Sequence, residues 1–346
     1  MSQDILRGGL IGCGAVSHAS HLPAWRSIKN ARIVAVCDNS AEAAAATARR
    51  WGIRATYNNV SDMIRGEKLS FVDICTPPQT HLQLAAHALE AGLHVLVEKP
   101  MATSLKEAEE MVRISSKPGL KLCVVHHALF YPVFNVAGSM AKSGRIGDLT
   151  SIHIDIQIPR SRVHGKNHWY YSIPGGIFGE HAPHAAYLTL ALLGNIGSVK
   201  AMFHKCSAFD WVKYDELKVT ALGEKGIGTF SISCNAPVFS FSVDITGSKE
   251  KIHVDFVTQT LTRTVPWSNR THGLILRHVD ATRHSMASGL VVAKSSLLGQ
   301  KWYKTAHRNL IGKFVDSVQN NLDTPVPAES GMQAVNLLEQ IWSQMK

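Results

Sequence analysis

The feature that most narrows what this chain can fold into lies near its start. An apolar run, Ile5 to Ile11, leads straight into Gly12-Cys-Gly14-Ala-Val-Ser17. A strand that stops at two glycines and opens a helix is the turn that binds dinucleotides. Gly12 permits the tight turn, and Gly14 lets a pyrophosphate approach the backbone at the helix N-terminus, next to Ala15 and Val16. Ser17 stands where a third glycine is usual, and is small enough for close helix–strand packing. The surroundings are those the motif requires: a second strand rich in β-branched residues, Arg32 to Cys37, ends in Asp38. That carboxylate would accept hydrogen bonds from the adenosine ribose hydroxyls and repel a 2′-phosphate. Asn39 and Ser40 follow with no arginine, so NAD is expected and NADP is disfavoured. The competing reading is a glycine turn in a non-binding α/β domain, with Asp38 as a helix cap.

The alternation continues. Ala41 to Trp51 reads as a helix closed by Gly52, and Phe71 to Cys75 as a strand. Thr80 to Ala91 is a helix closed by Gly92, His94 to Glu98 a strand, Leu105 to Ser115 a helix and Lys121 to Val125 a strand. Pro23 should end or kink the first helix. Near-continuous apolar strands between helices imply a parallel sheet covered on both faces, hence an α/β doubly wound Rossmann domain over residues 1–127. Beyond it the period changes to 2: Thr150 to Ile158, Val199 to Cys206, Leu217 to Leu222, Gly228 to Cys234, Phe239 to Ile245 and Lys251 to Phe256. Residues 128–346 are therefore expected to form an α+β domain with a large, open, mostly antiparallel sheet. Such a sheet can pair with a copy of itself, giving a homodimer or homotetramer. Within it, 266–305 reads as a helical insertion that packs over the site or a subunit contact, with a membrane-surface helix as the alternative.

The formal charge is +10, but it is spread, without a block of like charges or an aromatic-plus-basic RNA motif, which argues against nucleic acid. No apolar run approaches the ~20 residues that span a bilayer. The start does not read as a signal peptide, and the six scattered cysteines do not read as a disulfide framework or a zinc CxxC pair. A cytoplasmic protein is expected.

Several further stretches resemble the Gfo/Idh/MocA oxidoreductase family. Cys75-Thr-Pro-Pro-Gln-Thr-His81 follows one strand and Glu98-Lys99-Pro100 the next. Lys142-Ser-Gly-Arg-Ile-Gly-Asp-Leu149 looks like the family's entry to its second domain. Gly175-Gly-Ile-Phe-Gly-Glu-His-Ala-Pro-His184 looks like its Gly-Gly-(x)3-Asp-(x)3-His motif, and Thr324-Pro-Val-Pro-Ala-Glu-Ser-Gly331 like its entry to the last helix. The resemblance implies that Thr76, Pro77, His81, Glu98, Lys99 and His127 lie at the cofactor. It also implies that Lys99 reaches the nicotinamide and that the peptide before Pro100 is cis. Three departures stand out: Glu180 replaces the family's Asp, Tyr187 its frequent Asp, and in His126-His-Ala-Leu-Phe-Tyr-Pro132 Leu129 and His127 replace a typical arginine and amide.

Glu180 and His184 are four apart, so on one helix they would share a face. Three readings compete. His164, His168, His181 and His184 lie within 21 positions and could suggest zinc. Glu180 could simply stabilise a helix N-terminus. The acid/base reading is preferred: oxidising a hydroxyl moves a hydride to the cofactor and a proton to a base, and a histidine suits that task. We therefore expect no metal, His184 as principal acid/base, Lys99 as its partner at the substrate oxygen and Glu180 as supporting carboxylate. Arg160, Arg162 and Lys166, with Trp169, Tyr170 and His181, are expected to bind the substrate; three cations suggest an anionic group, such as a carboxylate or nucleotide-sugar pyrophosphate. The expected function is an NAD(H)-dependent oxidoreductase acting on a sugar, cyclitol or nucleotide sugar. Two alternatives remain: an enzyme that retains NAD and uses transient oxidation for epimerisation, elimination or glycoside cleavage, and an NAD-bound regulatory or scaffold protein without turnover.

Overall fold

The computed structural model describes residues 5–264 and 305–345, with six isolated positions between 275 and 290. The insertion read at 266–305 thus lies outside the described residues. The chain divides into two compact units, one of residues 1–127 with Lys304–Asn336, the other of Ala128–Tyr303 with 337–346. The sequence reading divides the chain once, after residue 127. The structure also places a segment expected in the C-terminal domain, Lys304–Asn336, in the N-terminal unit.

In the first unit, six parallel strands lie in the order β3-β2-β1-β4-β5-β6: β1 Leu6–Ile11, β2 Ala31–Cys37, β3 Ala55–Tyr57, β4 Phe71–Ile74, β5 His94–Val97 and β6 Leu122–Val124. This is the doubly wound order whose strand ends form a ligand crevice. Every residue of β4 and β6 is buried, which is why those runs lack a polar alternation. The helix Ala41–Trp51 begins where Ser40 accepts a bond from the Ala43 amide, and ends at Gly52 in the left-handed region. Its Ala44 and Ala48 pack on Leu10, Cys13 and Val36. The short strand Ala55–Tyr57 and the helix Val60–Gly66 were not foreseen; three residues of strand carry too little pattern to read. The helix opened by the glycine turn is not a regular α-helix. Ser17–His21 forms a π turn, followed by one α turn, Leu22–Trp25, with Pro23 in its first positions.

The segment that returns completes this unit. The helix Thr305–Gln319 buries Leu310, Ile311 and Phe314, and Phe314 meets Phe71 edge-on at 5.9 Å. Downstream, Val124 donates to the Val326 carbonyl at 3.0 Å, and Cys123 bridges Pro327 in antiparallel fashion.

The second unit is built on a seven-stranded sheet in the order β13-β12-β11-β7-β10-β9-β8, with β7 Leu149–Pro159, β8 Ile196–His204, β9 Glu216–Gly223, β10 Gly226–Ala236, β11 Ser240–Gly247, β12 Lys251–Asp255 and β13 Thr260–Thr264. All pairs are antiparallel except β7 with β10, so the sheet is mixed. Along β7, Ile152, Ile154, Ile156 and Ile158 are buried, while His153, Asp155 and Gln157 alternate with them on the other face. The helix Ala182–Leu193 covers the apolar face; it is buried on most sides, as its run of alanine and leucine predicts. Among the described residues no helix is long and apolar enough to cross a membrane.

Candidate active site

The glycine turn has the geometry its sequence implies. Gly12 sits at φ +95°, and a Cβ there would lie 2.8 Å from the Cys75 carbonyl carbon and oxygen and 2.9 Å from Thr76 Cγ2. Only glycine satisfies both the angle and the space. Gly14 is different: nothing lies within 4 Å of the position a Cβ would take, and Gly14 and Ala15 are exposed at the head of the helix. Asp38 accepts the Cys13 amide on Oδ2 at 2.7 Å and the Ser40 amide on Oδ1 at 2.9 Å. It is thereby fixed beside the turn; a carboxylate has about four lone-pair sites, so capacity remains for ribose hydroxyls. The helix cap is Ser40, so the capping role considered for Asp38 does not apply. Ser17 is buried and donates to the Gly14 carbonyl at 2.6 Å, tying the turn from within. These residues fit a dinucleotide: an open approach over Gly14, a helix N-terminus, and a fixed acid at the end of β2.

The Thr-Pro and Glu-Lys-Pro loops are joined by His81. It is fully buried, with Nε2 2.8 Å from the Thr76 carbonyl and Nδ1 3.1 Å from the Pro100 carbonyl. Its ring is spent on holding the loops. Thr76 and Pro77 are at least partly exposed, and Lys99–Pro100 is a cis peptide, as the resemblance implied. Glu98, expected at the cofactor, is instead 4% exposed and points into the unit. Its Oε2 accepts the Lys99 amide at 2.9 Å, and its Oε1 lies 2.8 Å from His21 Nε2. His21 Nδ1 in turn lies 2.8 Å from Asp73 Oδ2, which also accepts the Trp25 indole N–H at 2.6 Å. The π turn supplies the rotation that brings His21 to both carboxylates.

Sequence reasoning missed this network. Burial opposes charge on His21, but the Asp73 carboxylate outweighs it and holds the imidazole well above its ordinary range. Burial likewise opposes charge on Glu98, yet its bond to His21, with the His307 ring 3.8 Å away, holds it well below the usual carboxylate range. Three neutral imidazoles flank the pair. Burial pushes His126 down to about 3 and lowers His307. It also drives His127 well below its usual value, helped by the neighbouring His307, whose ring stacks on it at 4.1 Å. The one sequence signal was Asp73, a lone carboxylate in a strand buried on both faces, which must find a partner.

In the second unit, Gly175 and Gly176 have φ of +83° and +53°, and a Cβ on Gly175 would come within 2.5 Å of the Trp342 ring. They lead into a 3-10 turn, Gly176–Gly179, that ends at Glu180. The α-helix starts only at Ala182, with His181 at its cap and Pro183 in its first turn. Glu180 therefore precedes the helix, and the shared-face geometry expected for Glu180 and His184 does not apply. His184 Nδ1 lies 2.7 Å from the Tyr187 hydroxyl, which also accepts the Ala128 amide at 3.1 Å. The departure at Tyr187 is thus a support for His184.

The loop 160–171 is tied together by its own rings. His164 and His168 stack at 4.0 Å and 7°, Tyr170 is buried with its hydroxyl accepting the His164 amide, and the Tyr171 hydroxyl donates to the His164 carbonyl. Trp211 donates to the Tyr171 hydroxyl at 3.1 Å. Arg160 donates to Asn235 at 2.9 Å, and the Arg162 guanidinium lies over the Phe239 ring at 4.9 Å. Lys166 is exposed and Trp169 half-buried. Among the described residues, no grouping of three or more possible ligand side chains includes His164, His168, His181 or His184.

Comparison with known proteins agrees with this architecture. Residues 6–126 match the family described as "Oxidoreductase family, NAD-binding Rossmann fold", and residues 134–253 match the "GFO/IDH/MocA C-terminal domain". A D-apiose dehydrogenase from Paraburkholderia graminis is 37% identical over 141 residues, a match that spans 41% of this chain and only 37% of that protein. Oxidoreductase P35 from Formosa agariphila is 28% identical over 264 residues, 73% of this chain and 80% of that protein. The crystal structure of the WlbA dehydrogenase from Bordetella pertussis, in complex with NADH and UDP-GlcNAcA, superposes with a TM-score of 0.80 at 20% identity, covering 99% of this chain and 96% of that one.

Proposed function

The chain belongs to the Gfo/Idh/MocA oxidoreductase family, and from that premise we propose that it is an NAD(H)-dependent oxidoreductase acting on a hydroxyl or ketone of a sugar, cyclitol or nucleotide sugar. The observation that carries the cofactor choice is Asp38, held by two backbone amides beside the open Gly14 turn. A fixed carboxylate there accepts from a ribose diol and repels a 2′-phosphate, which favours NAD over NADP. Relatives named apiose and glucoside dehydrogenases support a carbohydrate substrate.

When bound, the nicotinamide accepts or returns the hydride. The protein must then position the carbon and move the hydroxyl proton. We assign the proton to His184, with Lys99 at the substrate oxygen. Tyr187 holds the His184 ring through Nδ1 and so fixes its orientation. Glu98 anchors the Lys99 backbone. The exposed Lys166 and the aromatic loop beside it suit an anionic or glycosidic substituent. The open seven-stranded sheet can pair with a copy of itself, and the working form we propose is a homodimer or homotetramer. The test is NADH production across a panel of polyols, aldoses and nucleotide sugars. The purified protein should bind NADH and turn over at least one of them, while Lys99→Ala and His184→Ala should lose turnover by 100-fold or more, about 3 kcal/mol of barrier, and keep NADH affinity. Normal turnover in both variants would remove the residue assignment; NADH binding without turnover on any substrate would favour a regulatory role.

A further inference from the structure

We propose that His21, Glu98 and His307 form a buried site for one divalent ion of the zinc class, independent of the catalytic assignment above. The first observation is His307. It is 5% exposed, and neither of its ring nitrogens has a hydrogen-bond partner. Buried imidazoles are ordinarily bonded, and an orphaned buried polar atom is a mark of an ion or water that belongs there. The second is donor spacing. Glu98 Oε1 lies 2.8 Å from His21 Nε2 and 3.8 Å from His307 Nε2, and the three donor atoms all lie within 4.8 Å of one another. Four ligands on bonds of about 2.0–2.1 Å stand roughly 3.3–3.4 Å apart in a tetrahedron. The two spacings straddle that edge, so displacements of about half an ångström would seat an ion.

The third observation is the outer shell. His21 Nδ1 is bonded to Asp73, and Asp73 is itself fixed by the Trp25 indole. This carboxylate–histidine arrangement orients a metal-binding imidazole and makes its other nitrogen a better donor. The second oxygen of Glu98 is held by the Lys99 amide. Two imidazoles and one carboxylate suit zinc, cobalt or nickel and do not suit calcium or magnesium, which take oxygen ligands. The fourth position falls to a water. His81 cannot serve, because both its nitrogens face backbone carbonyls.

The experiment uses the full chain, stripped with a chelator and then loaded with zinc or cobalt(II) and desalted. One equivalent of zinc should remain by elemental analysis, cobalt should give the visible absorption of a four-coordinate ion, and zinc but not magnesium should raise the thermal midpoint. His307→Gln and Glu98→Gln should each lose the retained ion, with folding checked by circular dichroism. No ion retained by the parent overturns the proposal, because ordered water alone then fills the cluster. Equal retention in folded variants also overturns it, because surface histidines are then the ligands. Should neither variant fold, X-ray absorption on the zinc-loaded parent decides: two imidazoles with oxygen support the site, and sulfur or oxygen alone overturns it.

Discussion

A methyl group on each of two neighbouring glycines should have opposite effects, and the contrast tests the cofactor reading. In Gly12→Ala the new residue must hold φ near +95° and place its Cβ 2.8 Å from the Cys75 backbone, which has no flexible end to swing away. The left-handed conformation costs about 1–2 kcal/mol, and overpacking against backbone adds about 1–3 kcal/mol. A loss of roughly 2–5 kcal/mol is a large part of the ~5–15 kcal/mol that holds a domain together. In Gly14→Ala nothing lies within 4 Å of the new methyl, so folding stability should stay within about 0.5 kcal/mol of the parent. Yet that empty space is where the pyrophosphate must approach. NADH affinity should fall at least tenfold, about 1.4 kcal/mol or more. Thermal unfolding reads the first quantity and NADH fluorescence titration the second. Gly14→Ala binding NADH as tightly as the parent would refute the placement of the phosphates over this turn, whatever the family.

Three further outcomes follow from the same geometry. Asp38→Ser should narrow the preference for NAD over NADP by tenfold or more, measured as the ratio of their dissociation constants; an unchanged ratio would show that Asp38 does not meet the ribose. His126 has a folded pKa of about 3 against an unfolded value near 6.5, so the unfolded chain binds the extra proton between those values. Its stabilising contribution is complete above pH 6.5 and is lost as the pH falls, at about 1.4 kcal/mol per unit; urea midpoints between pH 7.5 and 5 should drop more steeply for the parent than for His126→Phe, and parallel slopes would contradict the burial argument. Tyr187→Phe leaves the Ala128 amide without its acceptor, which should cost about 1–3 kcal/mol in a denaturant titration. If His184 carries the proton, the pH profile of kcat should also shift, and an unchanged profile would separate Tyr187 from the chemistry.

What could be read from the sequence was what depends on neighbours along the chain. The glycine turn and Asp38 follow their strands directly, Ser40 and Gly52 bound the helix Ala41–Trp51, Ser104 starts the helix Leu105–Ser115, and these elements appear at the expected positions. The Glu180–His184 geometry was misjudged because the helix starts two residues later than a spacing argument assumes, at Ala182, behind two glycines and a 3-10 turn. The buried charge network was illegible for a different reason. His21 and His307 are far apart in sequence, and the first reaches Glu98 only because a π turn rotates it inward. Periodicity built on 3.6 residues per turn places that ring elsewhere. Removing one partner from such a buried ionic set costs about 3–5 kcal/mol, so the network is a strong constraint that leaves little trace in any single stretch.

The return of Lys304–Asn336 to the nucleotide-binding unit sets an order in time. The Val124 amide finds its acceptor only at Val326, about 200 residues downstream. At synthesis rates of about 5–20 residues per second, that delay is on the order of 10–40 s. Through that interval the outer strand of the nascent parallel sheet stands with an open edge, and Phe71 lacks the ring of Phe314. A ribosome-bound chain that ends near residue 127 holds the glycine turn and Asp38 at the ends of β1 and β2 but not the segment that covers the far edge of the sheet at β6. The growing chain's most aggregation-prone period therefore falls while the second unit is being made.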